Sequence, residues 1–174
     1  MYYGLDRVKT EKKKELYSCV ILNVKISKII LPDYLENILK IIKKSYVRSK
    51  KADNLARKVN SWINYGLSFD YPFVLRGSEF EKRVYKLTLK IPKGKVASYK
   101  QIAEALDSKA YRAVGNAMKK NPVPLLVPCH RVVNTDGKLG GYGGGLKMKK
   151  RILTKEGVEI IDGRVPKEYF VEKI

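Results

Sequence analysis

The sequence predicts an α/β N-terminal domain over residues 1–75 and a mostly α C-terminal domain over residues 76–174. Three observations carry this reading. A Val- and Ile-rich stretch near the start partly alternates, apolar residues further on repeat at helical spacing, and two helix-capping signatures follow an aperiodic Pro/Gly stretch. A chain of 174 residues is long enough for one full core or two small ones.

Taken in order, residues 16–30 alternate locally, as in Val24-Lys25-Ile26, and read as strand. Leu35, Ile38, Leu39 and Ile42 follow i, i+3, i+4, i+7, which predicts an amphipathic helix over 33–45. Leu55, Val59, Trp62 and Ile63 predict another, with Gly66 as its stop. The basic run 43–51 between them reads as a solvated face or mobile loop. Residues 68–77 hold Pro72 and Gly77 without a period, and the domain boundary is placed there. Ser78-Glu79-Phe80-Glu81 is a capping box, with Phe80, Val84 and Leu87 on one face of the helix that follows and Pro92 and Gly94 ending it. Ser98-Tyr99-Lys100-Gln101 is a second box opening a short helix through Leu106. After a turn at Asp107-Ser108, residues 111–120 read as a helix closed by Asn121-Pro122. Two short helices around a tight turn fit a helix-turn-helix or an ordinary helical hairpin equally well.

Charge narrows the partners. Against 17 acidic residues stand 37 Lys and Arg, a net charge of +20 that attracts polyanions. Nucleic acid comes first and an anionic membrane surface second; a Lys-rich composition set by genome bias or heat adaptation is the bland alternative. Residues 16–31 are too short and too interrupted by Lys25 and Lys28 to span a membrane, and Met1 to Arg7 lack the basic-then-apolar order of a signal peptide. Two cysteines, Cys19 and Cys129, do not make a disulfide framework, and with the single His130 they fall short of a structural zinc set. The expectation is reduced thiols, a cytoplasmic setting, no metal and no cofactor.

Residues 121–131 are the most informative. Pro122, Pro124 and Pro128 stiffen the approach to Cys129-His130. A lone cysteine is usually a small buried hydrophobe; this one lies beside the only histidine and amid Lys and Arg, where a base or a positive field favours thiolate. A bridging water is the expected link between such neighbours, and Glu156 is a candidate third group to orient the imidazole. In the second helix of the pair, Ala110, Ala113, Gly115 and Ala117 leave a flat surface from which Arg112 projects. Either this face approaches DNA closely, with Arg112 entering a groove or a gap in the stack, or it packs tightly inside the protein. Residues 140–145, Gly-Gly-Tyr-Gly-Gly-Gly, lack the ending of a P-loop and are read as a hinge or lid rather than a nucleotide site.

At these residues the chain resembles the O6-alkylguanine-DNA alkyltransferases. Pro128-Cys129-His130-Arg131-Val132 is similar to their active-site signature, preceded by Gly94-Lys95-Val96-Ala97-Ser98-Tyr99. Arg112-Ala113-Val114-Gly115-Asn116-Ala117-Met118 and Asn121-Pro122-Val123-Pro124 lie between them. Gly140-Gly141-Tyr142-Gly143-Gly144-Gly145-Leu146 and Lys155-Glu156-Gly157 follow in the family's order, so that the likeness covers roughly residues 76–160. The resemblance implies a ribonuclease-H-like sheet with helices in the N-terminal domain and a winged helix-turn-helix in the C-terminal one. It implies irreversible, stoichiometric transfer of the alkyl group of O6-alkylguanine in double-stranded DNA to Cys129, by a monomer, after the nucleotide is flipped out; O4-alkylthymine is left open. By the same resemblance His130 acts through water as the base, Glu156 orients it, and Tyr99 contacts the phosphate beside the target. Arg112 fills the space left by the guanine, with Ala113, Gly115 and Asn116 on the DNA-facing helix. Asn121 braces the turn carrying Cys129, and Tyr142, Val127, Val132 and Gly143 line the guanine pocket. Gly143 departs from relatives with serine there, and the zinc ligands of some animal relatives are missing. A winged-helix regulator with a structural Cys129 and a cysteine hydrolase are the competing readings.

Overall fold

In the computed structural model the described residues are 2–8, 16–22, 26–30 and 47–174. The helix expected over 33–45 lies outside them, as do residues 43–46 of the basic run. The chain divides into two compact units, Met1–Leu75 with Pro122–Leu126, and Arg76–Asn121 with Val127–Ile174. No helix among the described residues is long and apolar enough to cross a membrane.

The first unit holds a sheet of β1 (Tyr2–Val8), β2 (Leu16–Leu22), β3 (Ile26–Ile30) and β4 (Val47–Arg48), in the order β3-β2-β1-β4. The Val- and Ile-rich stretch thus supplies two strands. β2 runs antiparallel to β1, with Tyr2 opposite Leu22 and Val8 opposite Leu16, and antiparallel to β3; β4 is parallel to β1. Helix α1 (Lys50–Tyr65) follows at once. Ser49, in extended conformation, caps it by accepting from the Ala52 N–H at 3.2 Å, and Gly66 ends it at φ 69°, where a glycine is free of the Cβ penalty. The end of the basic run is therefore strand, cap and first helical turn, not loop. Ala52, Leu55, Ala56, Val59, Trp62 and Ile63 form the buried stripe of α1, each large side chain contributing about 1.5–3 kcal/mol by leaving water. Residues 122–126 complete this unit; Pro122 O accepts from Ile29 N–H at 2.8 Å, and Val123 and Leu125 are fully buried.

In the second unit, α2 (Glu79–Thr88) begins with the predicted box, Ser78 and Glu81 each accepting the other's backbone N–H. Its buried face is Val84, Tyr85 and Thr88; Phe80 and Leu87 are only half-buried. The shift has a polar cause. The Tyr85 hydroxyl donates to Ala117 O at 3.0 Å and Thr88 Oγ1 to Val84 O at 2.8 Å, so both enter the interior satisfied. Strand β5 (Ala97–Ser98) pairs in parallel with β6 (Val132–Val133). The second box, Ser98 and Gln101, opens α3 (Tyr99–Glu104). Asp107, at φ 53°, turns the chain into α4 (Tyr111–Lys119). Cys129–Arg131 form a single 3-10 turn leading into β6. A helix that the sequence did not announce, α5 (Gly145–Lys155), begins inside the glycine run read as a hinge or lid. Val96, Val133, Leu153, Val158 and Val165 form a core cluster under these elements, with Tyr169 and Phe170 packed on it.

Candidate active site

Cys129 opens the 3-10 turn with its thiol buried and not in a disulfide. Asn121, just beyond the end of α4, reaches it. Its amide Nδ2 donates to Cys129 Sγ at 3.1 Å and to Val127 O at 2.9 Å, tying the segment before Cys129 to the sulfur itself. Burial pushes the thiol above its ordinary value; the Asn121 hydrogen bond and the Lys149 charge pull it down without overcoming this. The sequence led us to expect an ionised sulfur. The resting group is instead a neutral thiol, because exclusion of water opposes the thiolate more than the nearby positive charge favours it.

A buried imidazole–carboxylate pair begins at the next residue. His130 is fully buried, and its Nε2 lies 3.2 Å from Glu156 Oε1. Burial holds its pKa below the ordinary value in spite of Glu156, so the imidazole is neutral at pH 7. With Nε2–H donating to the carboxylate, Nδ1 carries the lone pair that a base needs. Burial would raise the Glu156 carboxyl, but hydrogen bonds from Arg131 and His130 outweigh it and hold the group well below the usual carboxylate range. Arg131 does most of this. Nε donates to Oε2 and Nη2 to Oε1, both at 2.8 Å, in a bidentate fork, while Nη1 donates to Ile91 O at 2.8 Å.

Tyr142 meets the His130 ring edge-on, centroids 6.4 Å apart at 83°. Its buried hydroxyl has no hydrogen-bond partner among the described residues, and burial, with negative charge at Cys129 and Glu156, pushes its pKa well above the ordinary value. Tyr99 is the first residue of α3, half-buried, its phenol raised first by burial and then by Cys129. Gly140, at φ 67°, lies so close that a Cβ there would sit 3.0 Å from the Tyr99 hydroxyl oxygen.

Val127 and Val132 are fully buried, so anything they offer a ligand comes from their backbone; Gly143 is half-buried. Arg112 and Asn116 are exposed on α4, Ala113 and Gly115 half-buried. A Cβ added at Gly115 would meet nothing within 4 Å, so packing inside this chain does not require glycine there. Ala117, grouped with that flat surface from sequence, faces inward instead.

Sequence reasoning gave no role to Arg131 or Lys149. Lys149 on α5 is fully buried, its Nζ donating to Val132 O at 2.5 Å and to Leu139 O. Burial lowers its pKa to about 8. Its signal was present: with Ile152 and Leu153 it makes an i, i+3, i+4 set, which a basic run conceals.

The chain thus comprises an α/β unit and a mostly helical unit, and the helical unit holds a buried cysteine followed by a buried imidazole–carboxylate pair. Residues 79–158 match the family model described as the DNA-binding domain of 6-O-methylguanine DNA methyltransferase. The methylated-DNA–protein-cysteine methyltransferase of Methanosarcina barkeri is 42% identical over 103 residues, 58% of this chain and 65% of that protein. The curated relatives are thus matched over about half to two thirds of their length. Among solved structures, the Mycobacterium tuberculosis O6-methylguanine methyltransferase aligns with a TM-score of 0.68 at 30% identity, covering 95% of this chain and 96% of that one. The M. tuberculosis OGT in complex with DNA aligns with a TM-score of 0.72 at 29% identity, covering 90% and 93%. This chain belongs to the methylated-DNA–protein-cysteine methyltransferase family.

Proposed function

We propose that the chain repairs O6-alkylguanine in double-stranded DNA by moving the alkyl group irreversibly onto Cys129, once per molecule. The observation that carries the reading is the buried relay. A neutral thiol held by Asn121 stands next to a neutral His130 whose imidazolium form Glu156 would stabilise. The Cys129 proton passes to His130 through water as sulfur attacks the alkyl carbon in line. The S–C bond forms, the C–O6 bond breaks, and its electron pair leaves with guanine, which takes up the proton that His130 accepted, so that no net proton is gained or lost. The product is a thioether and unmodified guanine. Tyr99 contacts the phosphate beside the target, helps rotate the nucleotide out and, by its hydroxyl, steadies charge developing on guanine.

Arg112 occupies the vacated space in the stack, with Ala113, Gly115 and Asn116 against the DNA; their positions on α4 and the open space at Gly115 support this. Tyr142, Gly143 and the backbone of Val127 and Val132 line the guanine pocket, and the unpartnered Tyr142 hydroxyl supports that placement. We read the first unit as ribonuclease-H-like, from its antiparallel strands with one parallel edge strand, and the second, with α3 and α4 beside the β5–β6 pair, as a winged helix-turn-helix. We place the domain boundary near residue 75 and the site of action in the cytoplasm, where thiols stay reduced.

The test is to incubate the protein with a duplex containing one O6-methylguanine and examine the Cys129 peptide by mass spectrometry. One methyl per protein at Cys129 is expected, and none with Cys129→Ala, which still binds the duplex. DNA binding without transfer would mark a regulator, and repeated turnover a hydrolase.

A further inference from the structure

The family model ends at residue 158, yet the chain beyond it is bound into the domain at both sides of Tyr99. We propose that the segment 164–171, acting through Gln101, is a positioning device for Tyr99; this rests on the reading of Tyr99 given above. The box that starts α3 needs from position 101 only an acceptor, and Gln101 Oε1 takes the Ser98 N–H at 2.8 Å. A glutamate would serve as well. The amide adds a donor, and its Nε2 gives a hydrogen bond of 2.7 Å to Val171 O. Val171 is itself fixed. Its N–H donates to Val96 O at 2.9 Å and the Val96 N–H to Tyr169 O at 2.8 Å, immediately before β5, while Lys95 Nζ donates to Glu168 O at 2.8 Å. Tyr99, the first residue of α3, inherits its direction from this anchorage.

The other end of the segment holds the surface on which the phenol rests. Val165 N–H donates to Gly137 O at 2.9 Å, and Arg164 Nη1 donates to Asp136 O at 2.8 Å and to its carboxylate at 2.6 Å. The Gly137 N–H in turn donates to Asn134 O at 3.0 Å. The Asn134 carboxamide oxygen and the Tyr99 hydroxyl both lie within 3.2 Å of the point where a Gly140 Cβ would sit. One short segment therefore grips the helix start that bears Tyr99 and the loop that supports its ring.

The deciding variant is Gln101→Glu, which keeps the capping acceptor and turns the donor facing Val171 O into an acceptor. Measured on the full chain with O6-methylguanine duplex, the transfer rate at saturating DNA should fall on the order of tenfold, as for one lost hydrogen bond. The same substitution in a Tyr99→Phe background should cost less than about twofold, because the group it positions is already gone. Truncation after Pro166 should slow transfer similarly and not add to Gln101→Glu; if the truncated chain fails to fold, the point variant still decides. An unchanged rate, or an equal loss with and without the Tyr99 hydroxyl, overturns the proposal. Absence of transfer by the unaltered protein would instead overturn the function on which it rests.

Discussion

Replacing Arg131 with methionine tests the energetics of the site most directly. The guanidinium makes three hydrogen bonds in the interior, two to Glu156 and one to Ile91 O. Methionine fills similar volume but leaves a buried carboxylate facing His130 alone. Removing one partner of a buried pair costs about 3–5 kcal/mol, chiefly through the charge left behind. For a domain of roughly 100 residues each kcal/mol lowers Tm by about 4–8 °C, so thermal unfolding should move down by at least about 12 °C. The double variant Arg131→Met/Glu156→Gln removes the stranded charge and should recover about half of that loss or more. The pH dependence gives an independent reading. Glu156 is depressed in the folded protein, so its contribution is complete above its ordinary value of 4.5 and is lost as pH falls below it. Without Arg131, burial becomes the stronger influence and raises the carboxyl, so the variant should gain stability relative to wild type as pH is lowered toward 5. Circular dichroism melts from pH 5 to 8 measure all of this. A double variant no more stable than Arg131→Met would refute the stranded-charge argument.

Three further outcomes follow from the geometry. Asn121→Ala removes the hydrogen bond to Sγ; the thiol pKa, read by the pH dependence of alkylation with a small haloacetamide, should rise, and transfer from DNA should slow about tenfold. Lys149 titrates near 8 in the folded protein against 10.5 ordinarily, so the unfolded chain binds more protons in between, and wild-type stability should gain a positive slope across that window. In urea titrations Lys149→Met should abolish that component, and an unaltered slope would assign it elsewhere. Arg112→Ala should slow repair of duplex more than reaction with free O6-alkylguanine base, since only the duplex requires extrusion; equal slowing in stopped-flow would remove the wedge role.

What could be read in advance was local. Ser78 with Glu81, Ser98 with Gln101 and Gly66 act within a few residues of their own positions, and each caps the helix it announced. The Cys129, His130 and Glu156 grouping was legible through motif order. Arg131 was not assigned, because its partners Ile91 and Glu156 are distant in sequence and carry no shared pattern. Helix α5 was hidden by a start in glycines, which disfavour helix, and by lysines that read as surface although Lys149 is satisfied by two carbonyls inside. The protonation state of Cys129 went the other way from the expectation because adjacency in sequence reports neighbouring charge but not loss of water.

The membership of residues 122–126 in the first unit has a consequence for biosynthesis. A ribosome delivers Met1 to Leu75 early, yet the strand–helix body lacks the Val123 and Leu125 side chains and the carbonyl opposite Ile29 until synthesis has passed position 126. The leading body therefore gains its last hydrogen bond and its last buried side chains only while the trailing part is already being made, a departure from the usual order of one domain after the other. Cys129 follows the last residue of that piece by three positions, so the leading body is completed and the buried sulfur first appears at nearly the same moment of translation.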